Sequence, residues 1–344
     1  MEYNHEWLWT ESSCAKHISS NDLLKCIYDI YGKASLCFVY LSDIGPDQDW
    51  KKSVWFTQTH TLPELVASKK IVFFRRNWTK VGSKDDLCEE LSRLTFIDKT
   101  VLKDPGKVQS CSVAKRMSWA SERHPPVNGH REPVTEECAY CLIGIFRVSK
   151  SFVPRYGVGL AEAMLQLQHE IMREYPKDLS IFEWKHTDPS EPLTNDVLAG
   201  SPFQFRDCAN VTTLDDGSEI KGVTDRQDEF YIDAQFIPES GLRIGWALNC
   251  WHDHPYSPTG NTLIYLTKEP PESHKSTKTP NLPGVKCHRT NISNVSCIDR
   301  EDLRKTLKVK GRIHILKDGA CHFEQDETSA RLYGLVQNAL SLRG

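Results

Sequence analysis

Residues 136–146 read "EECAYCLIGIF". The C-x-x-C inside this stretch belongs on paper to a zinc or redox site, so its reading decides the class of the chain. Structural zinc takes four ligands, usually as two pairs. No second C-x-x-C exists, and the nearest other ligand types are His124 and His130 in "HPPVNGH". Their spacing from the cysteines matches no common zinc module. Cys138, Cys141, Leu142 and Ile145 fall instead at helical spacing on one apolar stripe, where free cysteine packs as a small hydrophobe. A redox C-x-x-C follows a strand and opens a helix, whereas this one lies inside a helical pattern. The stretch therefore predicts a buried helix and no metal.

Upstream, "EWLWT" reads as a short strand and "SSNDLLKCIYDIYGK" as a helix. Ser20 can cap that helix, and Leu23, Leu24, Ile27 and Ile30 recur along it up to Gly32. "ASLCFVYL" is an apolar strand of the kind buried on both faces, "TLPELVAS" a short helix and "KKIVFFRR" another strand. The order β-α-β-α-β predicts a parallel α/β sheet over residues 1–78. Residues 79–186 read as mostly helical. "GSKDDLCEELSRLTFI" places Ser83 and Asp86 like a capping box, and "SVAKRMSWAS" and "GLAEAMLQLQHEIMREY" follow. Residues 187–344 change character. "EFYIDAQFI", "LRIGWALNC", "NTLIYLT" and "GRIHIL" alternate with period two, which predicts an antiparallel sandwich or small barrel. The Pro-, Ser- and Lys-rich run between two of these strands predicts a mobile loop over residues 267–286, and "TSARLYGLVQNAL" a C-terminal helix.

The chain has 344 residues, of which 26% are charged and 39% hydrophobic, and a formal charge of −3. That balance gives no electrostatic case for nucleic acid or anionic membrane as a partner. No apolar run is long enough to span a bilayer, and the N-terminus has no signal-peptide pattern. The twelve cysteines are thus expected as thiols in a reducing cytoplasm. His252 and His254 in "CWHDHPYSPTG" are two ligand types without a third nearby, and they read as strand-end polar residues. Phosphate-loop, dinucleotide-loop, serine-hydrolase and zinc-protease signatures are absent. "YGVGL" at residues 156–160 opens a helix and reads as a tight turn, with anion binding as the alternative.

Several of these stretches resemble the fungal heterokaryon-incompatibility (HET) domain proteins. Those read "RMSWA", "AYCLLGIF", "LYGEG" and "SIFAW" in this order. Here stand Arg116, Met117, Ser118 and Trp119, then Glu136, Glu137, Tyr140, Cys141, Leu142 and Gly144, then Tyr156, Gly157 and Gly159, then "SIFEW". Upstream, "WFTQTHTLPELVASKKIVFFRRNW" keeps the Thr61, Leu62 and Glu64 of a further family segment. "LAGSPFQF", "ALNC" and "LIYL" resemble the β-rich region that follows it. The family's opening strand, "WG" motif and helix are missing. Glu11 replaces an Asp, Lys16 a second Asp, and Asp22 and Lys25 a pair of Glu.

The resemblance implies an N-terminally truncated, partly degenerate HET protein with a partial TIR-like (flavodoxin-like) sheet. It also implies a role in non-self recognition and cell-death signalling by protein–protein contact. The partners it implies are other incompatibility proteins or further copies of the chain. A TIR-like NAD glycohydrolase would need an ionised carboxylate, for which Glu11, Asp22 and Glu64 are the candidates, and NAD would be its only cofactor. With a lysine at one carboxylate position, catalysis is not expected. A non-functional fragment is the third reading.

Overall fold

The computed structural model describes residues 8–10, 20–123, 135–149, 151–186, 197–222, 229–238, 243–252, 260–268, 285–290, 296–299, 309–316, 318 and 320–325. Helix α1 (Ser20–Lys33) forms where the periodicity places it and buries Ile27. Strand β1 (Cys37–Leu41) turns Cys37, Val39 and Leu41 inward. Helix α2 (Thr61–Ala67) leads to β2 (Ile71–Arg75), which runs parallel to β1 with Cys37 opposite Ile71.

Two expectations need correction here. The "EWLWT" strand does not form at Leu8–Thr10, where Leu8 is 82% exposed; Glu6 and Trp7 lie outside the described residues. The sheet is also not all-parallel. A third strand, β3 (Lys80–Ser83), folds back antiparallel on β2. The reversal is local: Trp78 takes φ 63°, its N–H donates to the Arg75 carbonyl at 2.8 Å, and the Thr79 N–H donates to Asn77 Oδ1 at 3.1 Å. Asn in a turn offers its side chain to the backbone two residues on. The sequence pattern of "WTKVGS" carries too little apolar alternation to announce a strand.

The outer face of β1 and β2 is aromatic. Phe38 and Tyr40 are 37% and 39% exposed, against the expectation of burial on both faces. Tyr40 stacks on Trp78 with centroids 4.7 Å apart, and Phe38 and Phe74 lie 5.9 Å apart. Ring contacts of this kind recover part of the cost of leaving such side chains wet.

The helical middle is shorter-stepped than the periodicity suggests. Ser83 and Asp86 do exchange reciprocal bonds, at 3.0 and 3.1 Å, but across a turn; helix α3 (Cys88–Thr95) starts later and ends at Phe96 with φ 57°. Helices α4 (Lys99–Lys103) and α5 (Val113–Ser118) follow. The predicted helix over "EECAYCLIGIF" shrinks to α6 (Glu137–Tyr140), continued as successive turns to Arg147. The stripe survives the shortening: Cys138, Cys141, Leu142 and Ile145 are all buried.

Gly144 explains why the chain bends there. A Cβ at this position would lie 2.3 Å from Tyr28 Cβ on α1. Gly144→Ala is therefore expected to cost about 2–3 kcal/mol by forcing α1 away. Urea unfolding would read this, and an unchanged midpoint would refute the packing assignment. Helix α7 (Leu160–Glu174) completes this part and buries Ala163, Met164, Leu167 and Ile171.

The remaining strands are β4 (Val211–Thr213), β5 (Ile220–Gly222), β6 (Phe230–Pro238), β7 (Arg243–Ala247), β8 (Cys250–His252), β9 (Gly260–Lys268), β10 (Val285–Thr290), β11 (Ser296–Asp299), β12 (Val309–Ile315) and β13 (Cys321–Gln325). β4 and β8 form a two-stranded pair; the other eight form one hydrogen-bonded antiparallel sheet. Its path runs β10–β13–β12–β6–β7–β9–β11, with β5 on β6 and a further pairing between β9 and β10. Together with the β1–β3 sheet, these strands make the chain a mixed α/β protein of several sheets. The expected loop over 267–286 also needs trimming. Thr267 and Lys268 belong to β9, and Val285 and Lys286 to β10; residues 269–284 lie outside the described residues, as does the C-terminal helix expected over 328–340. One buried apolar cluster runs from β1 through the helices to β13. Among the described residues no helix is long and apolar enough to cross a membrane.

Candidate functional site

The motif residues gather into three internal clasps. The first holds the "YGVG" turn. Gly157 and Gly159 take φ 79° and 84°, the left-handed region that glycine enters without strain. Gly159 caps α7, and its N–H donates to Glu136 Oε1 at 2.8 Å. The Glu136 carboxyl is held below the usual carboxylate range by backbone N–H groups, its own first and then those of Gly159, Gly157 and Val158. The anion at this helix N-terminus is thus the chain's own side chain, which satisfies donors that a helix start leaves open. Tyr140 braces the turn from below: its hydroxyl donates to the Arg155 carbonyl at 2.6 Å and accepts from the Arg155 N–H at 2.9 Å. Tyr156 meets the Tyr140 ring edge-on at 5.4 Å. Glu137 stays exposed in the first turn of α6.

The second clasp centres on Arg116, which is 1% exposed. Its guanidinium lies 4.5 Å from the Phe146 ring centroid and 4.1 Å from that of Tyr175. It donates to the Ser112 carbonyl and to Gln109 Oε1, at 3.4 and 3.2 Å. Tyr175 reaches the same Gln109 oxygen and the Phe146 carbonyl. Ser118 bonds the Lys115 carbonyl at 2.7 Å, and Trp119 is buried in the core.

The third clasp joins α2 to the end of the "RMSWASER" segment. Arg123 donates to the Gln58 carbonyl at 3.0 Å and to Thr61 Oγ1 at 2.8 Å. Complete burial lowers its pKa to about 10, against the raising influence of Cys141 and Glu64. Glu64 accepts from the Cys37 thiol at 3.5 Å. Burial, helped by Glu64, pushes that thiol up to about 12, and burial above all pushes the Cys141 thiol up as well. Neither cysteine is a nucleophile in this state.

Lys84 lies beside this clasp, 1% exposed, its ammonium donating to the Leu65 and Ser68 carbonyls at 2.7 Å each. It caps the C-terminal end of α2, where a helix presents unsatisfied carbonyls and partial negative charge. Burial lowers its pKa from 10.5 to about 8. Between those two values the unfolded chain holds the proton that the folded one has released, so stability rises with pH across the window. Below about pH 8 the buried charge exerts its full cost. Relative to Lys84→Met, the native chain should gain about 2 kcal/mol between about pH 7 and 9.5. Denaturant titrations of both proteins at the two pH values test this; a difference that stays flat overturns it.

Of the three carboxylate candidates, only Glu64 has a described side chain. Asp22 sits in the first turn of α1 with its side chain outside the described residues, and Glu11 lies outside them altogether. Among the described side chains no second carboxylate candidate stands beside Glu64. His124, His130 and His254 also fall outside the described residues. Among the described residues no group of three or more His, Cys, Asp or Glu could hold a metal ion.

Sequence reasoning missed one constellation. Glu183, of "SIFEW", is 0% exposed and accepts from His252 Nε2 at 2.7 Å and from the Cys250 thiol at 3.7 Å. The Cys208 thiol donates to the Glu183 carbonyl at 3.2 Å. Arg289, 1% exposed, arches over from β10. It donates to the Phe182 and Trp184 carbonyls at 2.8 and 2.7 Å and stacks 4.3 Å from the Trp184 ring. The order here is thiol–carboxylate–imidazole, with the carboxylate between the other two. A thiol enzyme needs the imidazole against the thiol. Burial raises both Cys208 and Cys250 well above the ordinary thiol range. The cluster ties the buried Glu183 carboxyl to His252 and does not place a base against sulfur. A single glutamate in an apolar "SIF-W" frame was the available signal, but its partners lie some seventy and a hundred residues away, so spacing could not reveal them.

These features define a mixed α/β protein whose motif residues are spent on internal clasps. The chain is similar to Vegetative incompatibility protein HET-E-1 of Podospora anserina, with 30% identity over 198 residues, covering 54% of this chain and 14% of that relative. No protein-family model matches the chain, and no solved structure matches it.

Proposed function

We propose that this chain is an incompatibility module of the fungal HET type, contributing to non-self recognition and cell-death signalling through contact with other incompatibility proteins. The observation that carries the proposal is the 30% identity over 198 residues to a protein named for vegetative incompatibility. The clasps support contact over catalysis. Arg116, Glu136 and Tyr140 bond inside the chain, Arg123 engages Gln58 and Thr61 through one guanidinium nitrogen, and Glu64 accepts from a thiol. The aromatic face of β1 and β2 is the surface this reading assigns to the partner. Trp78, at 65% exposure, stands at its edge beside Tyr40. Aromatic side chains carry much of the energy of protein contacts when a partner covers them.

The test expresses the chain in a fungal strain paired with strains of differing incompatibility type, scoring survival of fused cells. The expected result is loss of viability in a subset of pairings, abolished by Tyr40→Ala with Trp78→Ala at an unchanged unfolding midpoint. Indifference in every pairing would reject the proposal. The purified chain is expected to release no nicotinamide from NAD. Turnover that disappears with Glu64→Gln would replace this reading with a nucleotide glycohydrolase.

A further inference from the structure

Cys287 on β10 and Cys321 on β13 are directly opposite each other in antiparallel register. Their sulfurs lie 2.8 Å apart, well inside the contact distance of two non-bonded sulfurs. Each thiol also reaches across to the other's carbonyl, Cys321 Sγ to Cys287 O at 3.0 Å and Cys287 Sγ to Cys321 O at 3.7 Å. Both side chains are buried, at 3% and 1% exposure. Opposed residues of an antiparallel pair have Cα atoms about 4.5–5.5 Å apart. That falls within the roughly 4.4–6.8 Å that a disulfide spans without backbone movement. Neither Cys138 nor Cys141 has this opposed-strand placement.

We propose that Cys287 and Cys321 are an oxidisable pair whose disulfide locks β10 into the sheet. The strand's position makes the bond consequential. β10 pairs with β13 on one side and with β9 on the other. Two residues beyond Cys287, on the same buried face, Arg289 reaches Phe182 and Trp184. A covalent tie at Cys287 therefore also fixes the strand that brings Arg289 to the Phe182 and Trp184 carbonyls.

The oxidant is a hydroperoxide such as hydrogen peroxide, small and neutral enough to enter when β10 opens locally. One thiol gives up its proton and attacks an oxygen of hydrogen peroxide, the O–O bond breaks, the departing hydroxide takes that proton and leaves as water, and a sulfenic acid forms. The second thiol then attacks the sulfenic sulfur, the S–S bond forms, and a second water leaves. Two thiols and one peroxide thus give one disulfide and two waters. A thiol reductant reverses the change by exchange. The inference does not depend on the incompatibility reading.

The experiment uses the full chain, reduced and then treated with hydrogen peroxide. Free thiols are blocked with N-ethylmaleimide, and the protein is digested without reductant for mass spectrometry. The expected product is a Cys287–Cys321 cross-linked peptide two hydrogens lighter than its parts, with Cys138, Cys208 and Cys250 recovered alkylated. Oxidation should raise the thermal midpoint by about 5 °C, reversed by dithiothreitol, because the bridge closes a long loop in the unfolded chain. Blocked thiols at both positions, sulfinic acids without a cross-link, or cross-links scattered over other cysteines would overturn the proposal. So would an unchanged midpoint in the bridged protein. Cys287→Ala should leave Cys321 alkylated; since the main readout uses the native chain, a poorly folding variant would not rescue a negative result.

Discussion

Replacing Arg116 by lysine is expected to cost about 3–4 kcal/mol, although the charge is kept. The guanidinium is flat, and it fills the gap between the Phe146 and Tyr175 rings, 4.5 and 4.1 Å from their centroids. A compact, strongly hydrated ammonium fills that flat gap poorly and cannot stack on either ring as a plane, and a desolvated cation–π contact contributes about 2 kcal/mol. Lysine also presents no fork to reach the Ser112 carbonyl and Gln109 together, and hydrogen bonds from charged groups contribute roughly 1.5–3 kcal/mol each. Gln109 is the hinge of the network, because it also bonds Tyr175 and donates to the Ile145 carbonyl at 3.0 Å. The loss should therefore be non-additive with Gln109→Ala, and a double-mutant cycle by urea unfolding measures it. A lysine variant within about 1 kcal/mol of the native protein would show that the stacking is incidental.

Arg289→Met should be at least as damaging, at about 3–5 kcal/mol. The substitution leaves the Phe182 and Trp184 carbonyls buried without their donors. It also leaves the Glu183 carboxyl, 0% exposed, without the buried guanidinium held at the two flanking carbonyls. An uncompensated buried charge is costlier than a missing pair. The double variant Glu183→Gln with Arg289→Met should accordingly recover part of the loss. If the double variant is less stable than the sum of the singles, the two groups are not coupled through charge.

Helices α1, α2 and α7 were legible because each carries its apolar residues at helical spacing between clear stops. Strands β6, β7, β9 and β12 were legible from alternation, with Phe230, Ile232 and Phe236 pointing inward as the pattern requires. The reading failed where a contact distant in sequence overrode a local preference. "EECAYCLIGIF" has helical spacing throughout, yet Gly144 packs against Tyr28 more than a hundred residues earlier, and the helix stops after Tyr140. The apolar run of β1 suggested two covered faces, whereas covering depends on a neighbour that the run itself cannot specify.

The candidate site divides the same way. The resemblance pointed to Arg116, Glu136, Tyr140, Gly157 and Gly159, which the structure joins into clasps. Glu183, His252 and Arg289 come from three distant segments and share no periodicity. Their meeting is a product of the tertiary fold.

The carboxylate of Glu136 at the start of α7 carries a consequence for ligand competition. A free phosphate or nucleotide must surrender translational freedom to dock on a helix start. Glu136, held by α6, has already lost it during folding. The intramolecular anion is thus favoured entropically over every diffusing one.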